Sequence, residues 1–248
     1  MSDSMYVKEL FVSIQGEGTL CLGRKQIFLR TCGCNLRCWY CDTDSTAGES
    51  FRVYWRPGGG DCELVANPVS LDRVVGIVNS LASPDIHSVS LTGGEPLLLP
   101  TSTFRRLAEA LGRCGLRVYL ESNGTLPQKL SEVIDCVDFL SMDIKLPSAD
   151  GREWWDEHEQ FLMVAGGIPT CVKVVCCPSA VEEVVHAAKL VARVDSDVDF
   201  VLQPESKALK SATTQPVDEW LWPLVESVSQ FVQNVYVIPQ THEFLKLK

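Results

Sequence analysis

Apolar positions along this chain fall into two periods. Short runs rich in β-branched and aromatic residues predict strands at Tyr6 to Gln15, Gln26 to Thr31, Ser88 to Thr92, Arg117 to Glu121, Phe139 to Lys145, Thr170 to Cys176, Phe200 to Gln203 and Val235 to Pro239. Between them, apolar residues spaced three and four apart predict helices at Leu71 to Leu81, Thr103 to Cys114, Ala180 to Val194 and Asp218 to Val232, with Ser102 and Ser179 as caps. Strands alternating with helices imply parallel pairing and an α/β fold. The interval 47–69 has no clear period. It carries Trp55 and the Gly-rich run Arg56-Pro57-Gly58-Gly59-Gly60-Asp61, and is expected to be a loop insertion, either a lid or a docking surface.

Length and composition change this picture little. The 248 residues suit one domain, and 46% hydrophobic with 22% charged residues is an ordinary globular mixture. Charge is more informative: 22 Lys and Arg face 32 Asp and Glu, a net charge of -10. Nucleic-acid binding rests on cationic neutralisation of phosphates, so no nucleic-acid ligand is expected. No run reaches about 18 apolar residues, and Met1-Ser2-Asp3-Ser4 lacks a basic-then-apolar layout, so the expectation is a cytoplasmic protein with no membrane contact.

Eleven cysteines are present, four of them crowded between residues 32 and 41. Bunching of this kind in a reducing compartment reads as metal ligation rather than disulfide bonding. Cys34, Cys38 and Cys41 have the spacing CxxxCxxC directly after a predicted strand. Three thiolates on one loop suit three irons of a 4Fe-4S cluster and leave the fourth iron open. A structural zinc site is the competing reading, but it needs four protein ligands and there is no second CxxC pair. Cys32, almost adjacent to Cys34, is read as a spare thiol.

Several polar groups stand at predicted strand ends, where α/β folds gather their chemistry. Thr92-Gly93-Gly94-Glu95-Pro96 offers a backbone that a ligand can approach and a carboxylate that can accept from an ammonium, though a plain turn has the same composition. Glu121-Ser122-Asn123-Gly124-Thr125 offers partners for ribose hydroxyls or an ordinary Asn-Gly turn. Asp143 and Lys145 share a strand face, as ligand contacts or as a simple ion pair. Gln15-Gly16-Glu17-Gly18 presents an amide and a carboxylate suited to a pterin edge. Arg30 can pair with a carboxylate.

Together these segments resemble the radical SAM superfamily, whose signature CxxxCxΦC has Tyr40 at its aromatic position. The flanking Gln-Gly-Glu-Gly and Pro239-Gln240-Thr241-His242 resemble its deazaguanine synthase family in particular. The resemblance implies a partial or modified (β/α) barrel of about six parallel strands. It implies a 4Fe-4S cluster on Cys34, Cys38 and Cys41, with S-adenosylmethionine held by Tyr40, Gly93, Gly94, Glu95, Glu121, Ser122, Asn123, Asp143 and Lys145. Mg2+ would sit at Thr43, with Asp42 assisting. Substrate would meet Gln15, Glu17, Arg30, Thr92, Gln203, Gln240 and His242. Glu243 stands where the family leads one to expect a basic residue.

The implied reaction is that of a carbon-nitrogen lyase: a 5'-deoxyadenosyl radical contracts the ring of 6-carboxy-5,6,7,8-tetrahydropterin to 7-carboxy-7-deazaguanine with loss of ammonia, on the route to queuosine. A homodimer and a flavodoxin or ferredoxin-like electron donor are also implied. The alternatives are an activating enzyme for a glycyl radical protein, and a zinc-stabilised module without catalysis.

Overall fold

The computed structural model describes residues 4–57, 60–206, 209, 216–245 and 247, and of Glu243 the backbone alone. All eight predicted strands form, within two residues of their expected ends. In chain order the elements are β1 (Ser4–Met5), β2 (Val7–Ile14), β3 (Lys25–Thr31), β4 (Ser50–Tyr54), β5 (Cys62–Ala66), β6 (Val69–Ser70), α1 (Leu71–Leu81), β7 (Ser88–Gly93) and α2 (Thr101–Arg113). There follow β8 (Val118–Ser122), α3 (Pro127–Ser131), β9 (Phe139–Ile144), α4 (Pro147–Asp150), α5 (Trp155–Ala165), β10 (Thr170–Cys176), α6 (Val181–Val194), β11 (Asp199–Pro204), α7 (Val217–Val228), β12 (Val235–Val237) and α8 (Thr241–Leu245).

One sheet carries the fold, in the order β12-β11-β10-β9-β8-β7-β3-β2-β4-β5. From β12 to β3 every neighbouring pair is parallel, seven strands where about six were expected. β2 turns back antiparallel to β3 with Phe11 opposite Phe28. The parallel strands are apolar almost throughout because helices cover one face and the far face lines an interior. Leu91, Leu120, Leu140, Val172, Val174 and Leu202 are fully buried.

The helices bury the stripe their spacing predicts. In α1, Leu71, Val74, Ile77, Val78 and Leu81 face the core, and the Ser70 hydroxyl accepts from the Arg73 N–H at 3.3 Å. The two expected caps are corrected. Ser102 lies inside α2, which starts two residues earlier, after Pro100; Ser179 lies in a 3-10 turn ahead of α6. Neither helix has a side-chain cap: the residue ahead of α2 is Pro100 and the residue ahead of α6 is Ala180.

The interval 47–69 is a hairpin, not a bare loop. β4 and β5 pair antiparallel from Ser50 opposite Ala66 to Tyr54 opposite Cys62, and β4 joins the sheet beside β2. Phe51 and Val53 point inward and Arg52 outward, the alternation of a half-buried strand. Gly58 and Gly59 at its tip lie outside the described residues. No helix among the described residues is long and apolar enough to cross a membrane.

Candidate active site

The C-terminal ends of the parallel strands open into a cavity of about 400 Å³. Its two ends are built differently. At one end the loop after β3 brings Cys34, Cys38 and Cys41 to the wall, whereas the Cys32 sulfur is directed to the Thr46 carbonyl at 4.0 Å. Buried Leu36 anchors the loop, and the Trp39 N–H donates to the Ala149 carbonyl at 3.0 Å. The turn after β7 docks onto it through backbone alone. Gly94 N–H donates to the Thr31 carbonyl (3.0 Å) and Glu95 N–H to the Gly33 carbonyl (2.8 Å).

Only glycine permits this approach. A Cβ on Gly94 would stand 1.8 Å from the Gly33 oxygen, and Gly93 has φ +107° with Thr31 backbone 2.6 Å from where its Cβ would be. The side chain of Glu95, expected to meet the cofactor, is spent on structure instead. It is 1% exposed and accepts from the N–H of Leu97 (3.1 Å), the Ser122 hydroxyl (3.0 Å) and the N–H of Asn123 (2.8 Å). Burial pushes its carboxyl up to about 7 against those three donors. Glu95 therefore buckles the β7 turn to the end of β8.

Asn123 continues the buckle. Its amide donates to the Asn35 carbonyl oxygen (2.9 Å), while Asn35 donates to Thr125 (2.8 Å), tying the cysteine loop to β8. Behind it lies His158, fully buried on α5, with Nε2 3.3 Å from the Lys145 N–H and 3.2 Å from the Asn123 carbonyl. Burial pushes this imidazole down to about 4, so it is neutral near pH 7. Asn35 and His158 were not singled out from the sequence, because nothing local distinguishes a histidine on an amphipathic helix from a packing residue.

The other end is made of charges. Lys173, in the middle of β10 and 6% exposed, pairs with Glu17 through a short contact and with Asp143 at 3.2 Å. Asp143 pairs in turn with Lys145 at 2.8 Å, whose ammonium lies 5.5 Å over the Tyr40 ring. Burial acts to discharge Lys173, but Asp143 and Glu17 outweigh it and hold the ammonium above its ordinary value. Burial likewise works against the Glu17 carboxylate, and Lys173 outweighs it, holding that carboxyl below the usual range. Lysine within the apolar run Thr170-Cys171-Val172-Lys173-Val174-Val175-Cys176 was the available signal for this residue.

A strap from the C-terminal segment completes that end. Gln240 donates to Glu17 (3.0 Å) and Asp42 (3.1 Å), and Thr241 donates to the Gly16 carbonyl through both its hydroxyl (2.7 Å) and its N–H (3.2 Å). His242 Nδ1 lies 4.0 Å from Glu17; the Glu243 side chain lies outside the described residues. Arg30 donates to the Thr43 hydroxyl (2.7 Å), which donates to Asp42 (3.1 Å). Gln203 lines the cavity with its amide oxygen buried and without a protein partner, a place for a ligand donor.

One expected contact is relocated. Gln15 does not face the main cavity: its amide donates to Gln26 (3.2 Å) and Glu121 (3.0 Å) and accepts from the Glu17 N–H (3.0 Å), which exhausts its donors and shapes the loop. It borders a side recess of about 50 Å³. Glu121 stands between the two, lining both the main cavity and that recess, and accepts from Gln15, from Ser90 (2.7 Å) and from Thr92 (3.1 Å).

A family model described as the radical SAM superfamily matches residues 28–199. The chain belongs to the radical SAM superfamily. Its curated relatives narrow this to one family. A 7-carboxy-7-deazaguanine synthase of Geobacter sulfurreducens is 40% identical over 96% of both chains. Synthases of the same name from Methanothermobacter thermautotrophicus (33%, covering 98% of this chain and 97% of the relative) and Methanocaldococcus jannaschii (30%, covering 96% and 98%) are similar from end to end. The chain is thus a radical SAM enzyme of the 7-carboxy-7-deazaguanine synthase family.

The superfamily uses a 4Fe-4S cluster and S-adenosylmethionine, and the cysteine end fits them. Among the described residues no three His, Cys, Asp or Glu side chains converge as ligands of a single ion. A cluster takes one thiolate per iron, so its three ligands need to share a wall and not a point. Cys34, Cys38 and Cys41 share that wall. Burial raises the Cys34 thiol and pushes Cys38 up to about 11, so the thiolates form together with metal binding.

Proposed function

We propose that this enzyme converts 6-carboxy-5,6,7,8-tetrahydropterin to 7-carboxy-7-deazaguanine and ammonia for queuosine synthesis, as one cytoplasmic domain acting as a homodimer. The observation that carries the reading is the meeting of Glu17, Gln240 and Lys173 in the same cavity that the three cysteines line. When bound, the cluster and S-adenosylmethionine supply the one-electron chemistry that opens the reaction. The residues of the chain bind, orient and shield.

Glu17 is the acceptor for the N–H edge of the pterin, held in place by Gln240 and Lys173. Arg30 and Thr43 form the pole for the substrate carboxylate, and Asp42 beside them gives a divalent ion such as Mg2+ an oxygen ligand. Burial works against the Asp42 charge, but Arg30 and the Thr43 and Gln240 hydrogen bonds keep its carboxyl below the usual range. Gln203 offers its amide oxygen to a ring N–H. Fixing the ring from both edges holds one carbon toward the cysteine end, which is how an enzyme restricts a reactive radical to one hydrogen.

Similarity to synthases over nearly the whole chain favours this small-molecule reading over activation of a glycyl radical protein. A flavodoxin or ferredoxin-like donor supplies the electron. The test is an anaerobic assay of reconstituted protein with dithionite, S-adenosylmethionine, Mg2+ and the carboxytetrahydropterin, read by mass spectrometry. The expected product is 7-carboxy-7-deazaguanine, lost on Cys38→Ala. Formation of 5'-deoxyadenosine without the deazaguanine would refute the substrate.

A further inference from the structure

Glu17, Lys173, Asp143 and Lys145 form a row of alternating charge along one wall, from the C-terminal strap to the cysteine loop. Lys173 stands directly opposite Asp143 in the register of β9 and β10, so both side chains project to the same side of the sheet. Its ammonium thereby serves both Glu17, which the C-terminal strap holds, and Asp143, whose other partner Lys145 lies over Tyr40 of the cysteine loop. We propose that Lys173 is a positioning residue that couples the two ends, so that a ligand at either one strengthens binding at the other.

The coupling follows from competition for shared partners. A ligand carboxylate beside Tyr40 draws Lys145 away from Asp143, whose oxygens are then left to Lys173. As Lys173 moves toward Asp143 its hold on Glu17 loosens, and Glu17 becomes available to N–H donors of a second ligand. The reverse sequence is equivalent: donors on Glu17 release Lys173 to Asp143, which frees Lys145 for a carboxylate. Each ligand must change the affinity of the other by the same factor. In an interior of low effective dielectric, these exchanges act more strongly than they would in water.

This inference rests on the pterin reading above, and one experiment separates the two. Cluster-reconstituted enzyme is titrated anaerobically by calorimetry, without reductant and therefore without turnover. S-adenosylmethionine and 6-carboxy-5,6,7,8-tetrahydropterin are each measured alone and with the other saturating. Each ligand is expected to lower the Kd of the other by roughly tenfold, within the usual range of coupling between sites. In Lys173→Met both still bind and the factor falls to about one.

A factor of one in the native enzyme, or an undiminished factor in Lys173→Met, overturns the proposal. If Lys173→Met does not fold, Asp143→Asn removes the shared partner, and loss of coupling is expected there too; retained coupling in it overturns the proposal equally. A native enzyme that binds S-adenosylmethionine but no pterin refutes the substrate reading and takes this proposal with it.

Discussion

The two ends of the cavity hold their shape by different means. At the cysteine end, backbone meets backbone: Gly93 and Gly94 bring the β7 turn against Thr31 and Gly33, and a buried carboxyl, two asparagines and a neutral histidine tie the ends of β8 and β9 around it. At the far end, four side chains of opposite charge and a C-terminal amide make the wall. The first arrangement tolerates no added atom. The second can rearrange, because long charged side chains exchange partners without moving the sheet.

The sharpest way to break this contrast is Gly94→Ala. Its Cβ would overlap a carbonyl oxygen 1.8 Å away, so the cysteine loop and the β7 turn must separate. Displacement of a reacting group by about 1 Å can cost 100-fold, and activity is expected to fall by at least that factor. Iron content after reconstitution should drop with it, and wild-type activity in the variant would show that the close approach is dispensable.

The neutral histidine gives the next effect, on stability. The pKa of His158 falls from 6.5 to about 4 on folding, so its contribution is complete above pH 6.5 and is lost as pH falls toward 4. Shifts of this size are worth about 3 kcal/mol. The opposite slope comes from Glu95, whose raised pKa favours the folded state below 4.5 and loses that contribution as pH rises through about 7. The two overlap in the native enzyme. Urea unfolding across pH 4 to 7 should therefore reveal the histidine as a difference: relative to wild type, His158→Gln gains stability toward acid, and a pH-independent difference would contradict its buried neutral state.

At the charged end a smaller loss is expected. Gln240→Ala removes one donor from Glu17 and one from Asp42 but leaves Lys173 in place. KM for the pterin should rise about tenfold, or 1.4 kcal/mol, with kcat within about threefold. A fall in kcat alone would place Gln240 with the reaction and not with binding. The least effect belongs to Cys32→Ser: Cys32 is not on the cavity wall and its sulfur is directed to the Thr46 carbonyl, so iron content should stay at the wild-type level, as for an ordinary surface change.

The same contrast explains what could be read in the sequence. Backbone-built features leave local marks, because glycine pairs and close cysteines are required within a few residues of one another. The strands, α1 and the cysteine loop were legible for that reason. The hairpin was not: Phe51, Arg52 and Val53 alternate as a strand should, but over too few residues to outweigh the glycines after Arg56, which mark a loop. Ion pairs between residues 17, 143 and 173 leave no local mark. Gln15 looked like a ligand contact because polar residues at strand ends look alike until their partners are known, and its amide is spent on Gln26 and Glu121.

The strap of Gln240 and Thr241 over Gly16 joins positions separated by 225 residues. Ribosomes make chains from the N-terminus, and domains form in that order. The cysteine loop and both glycine turns therefore emerge well before the segment that steadies Glu17. A growing chain carries Glu17 for most of its length before Gln240 and Thr241 exist to hold it. The wall around Glu17 is thus complete only once the chain has reached Thr241.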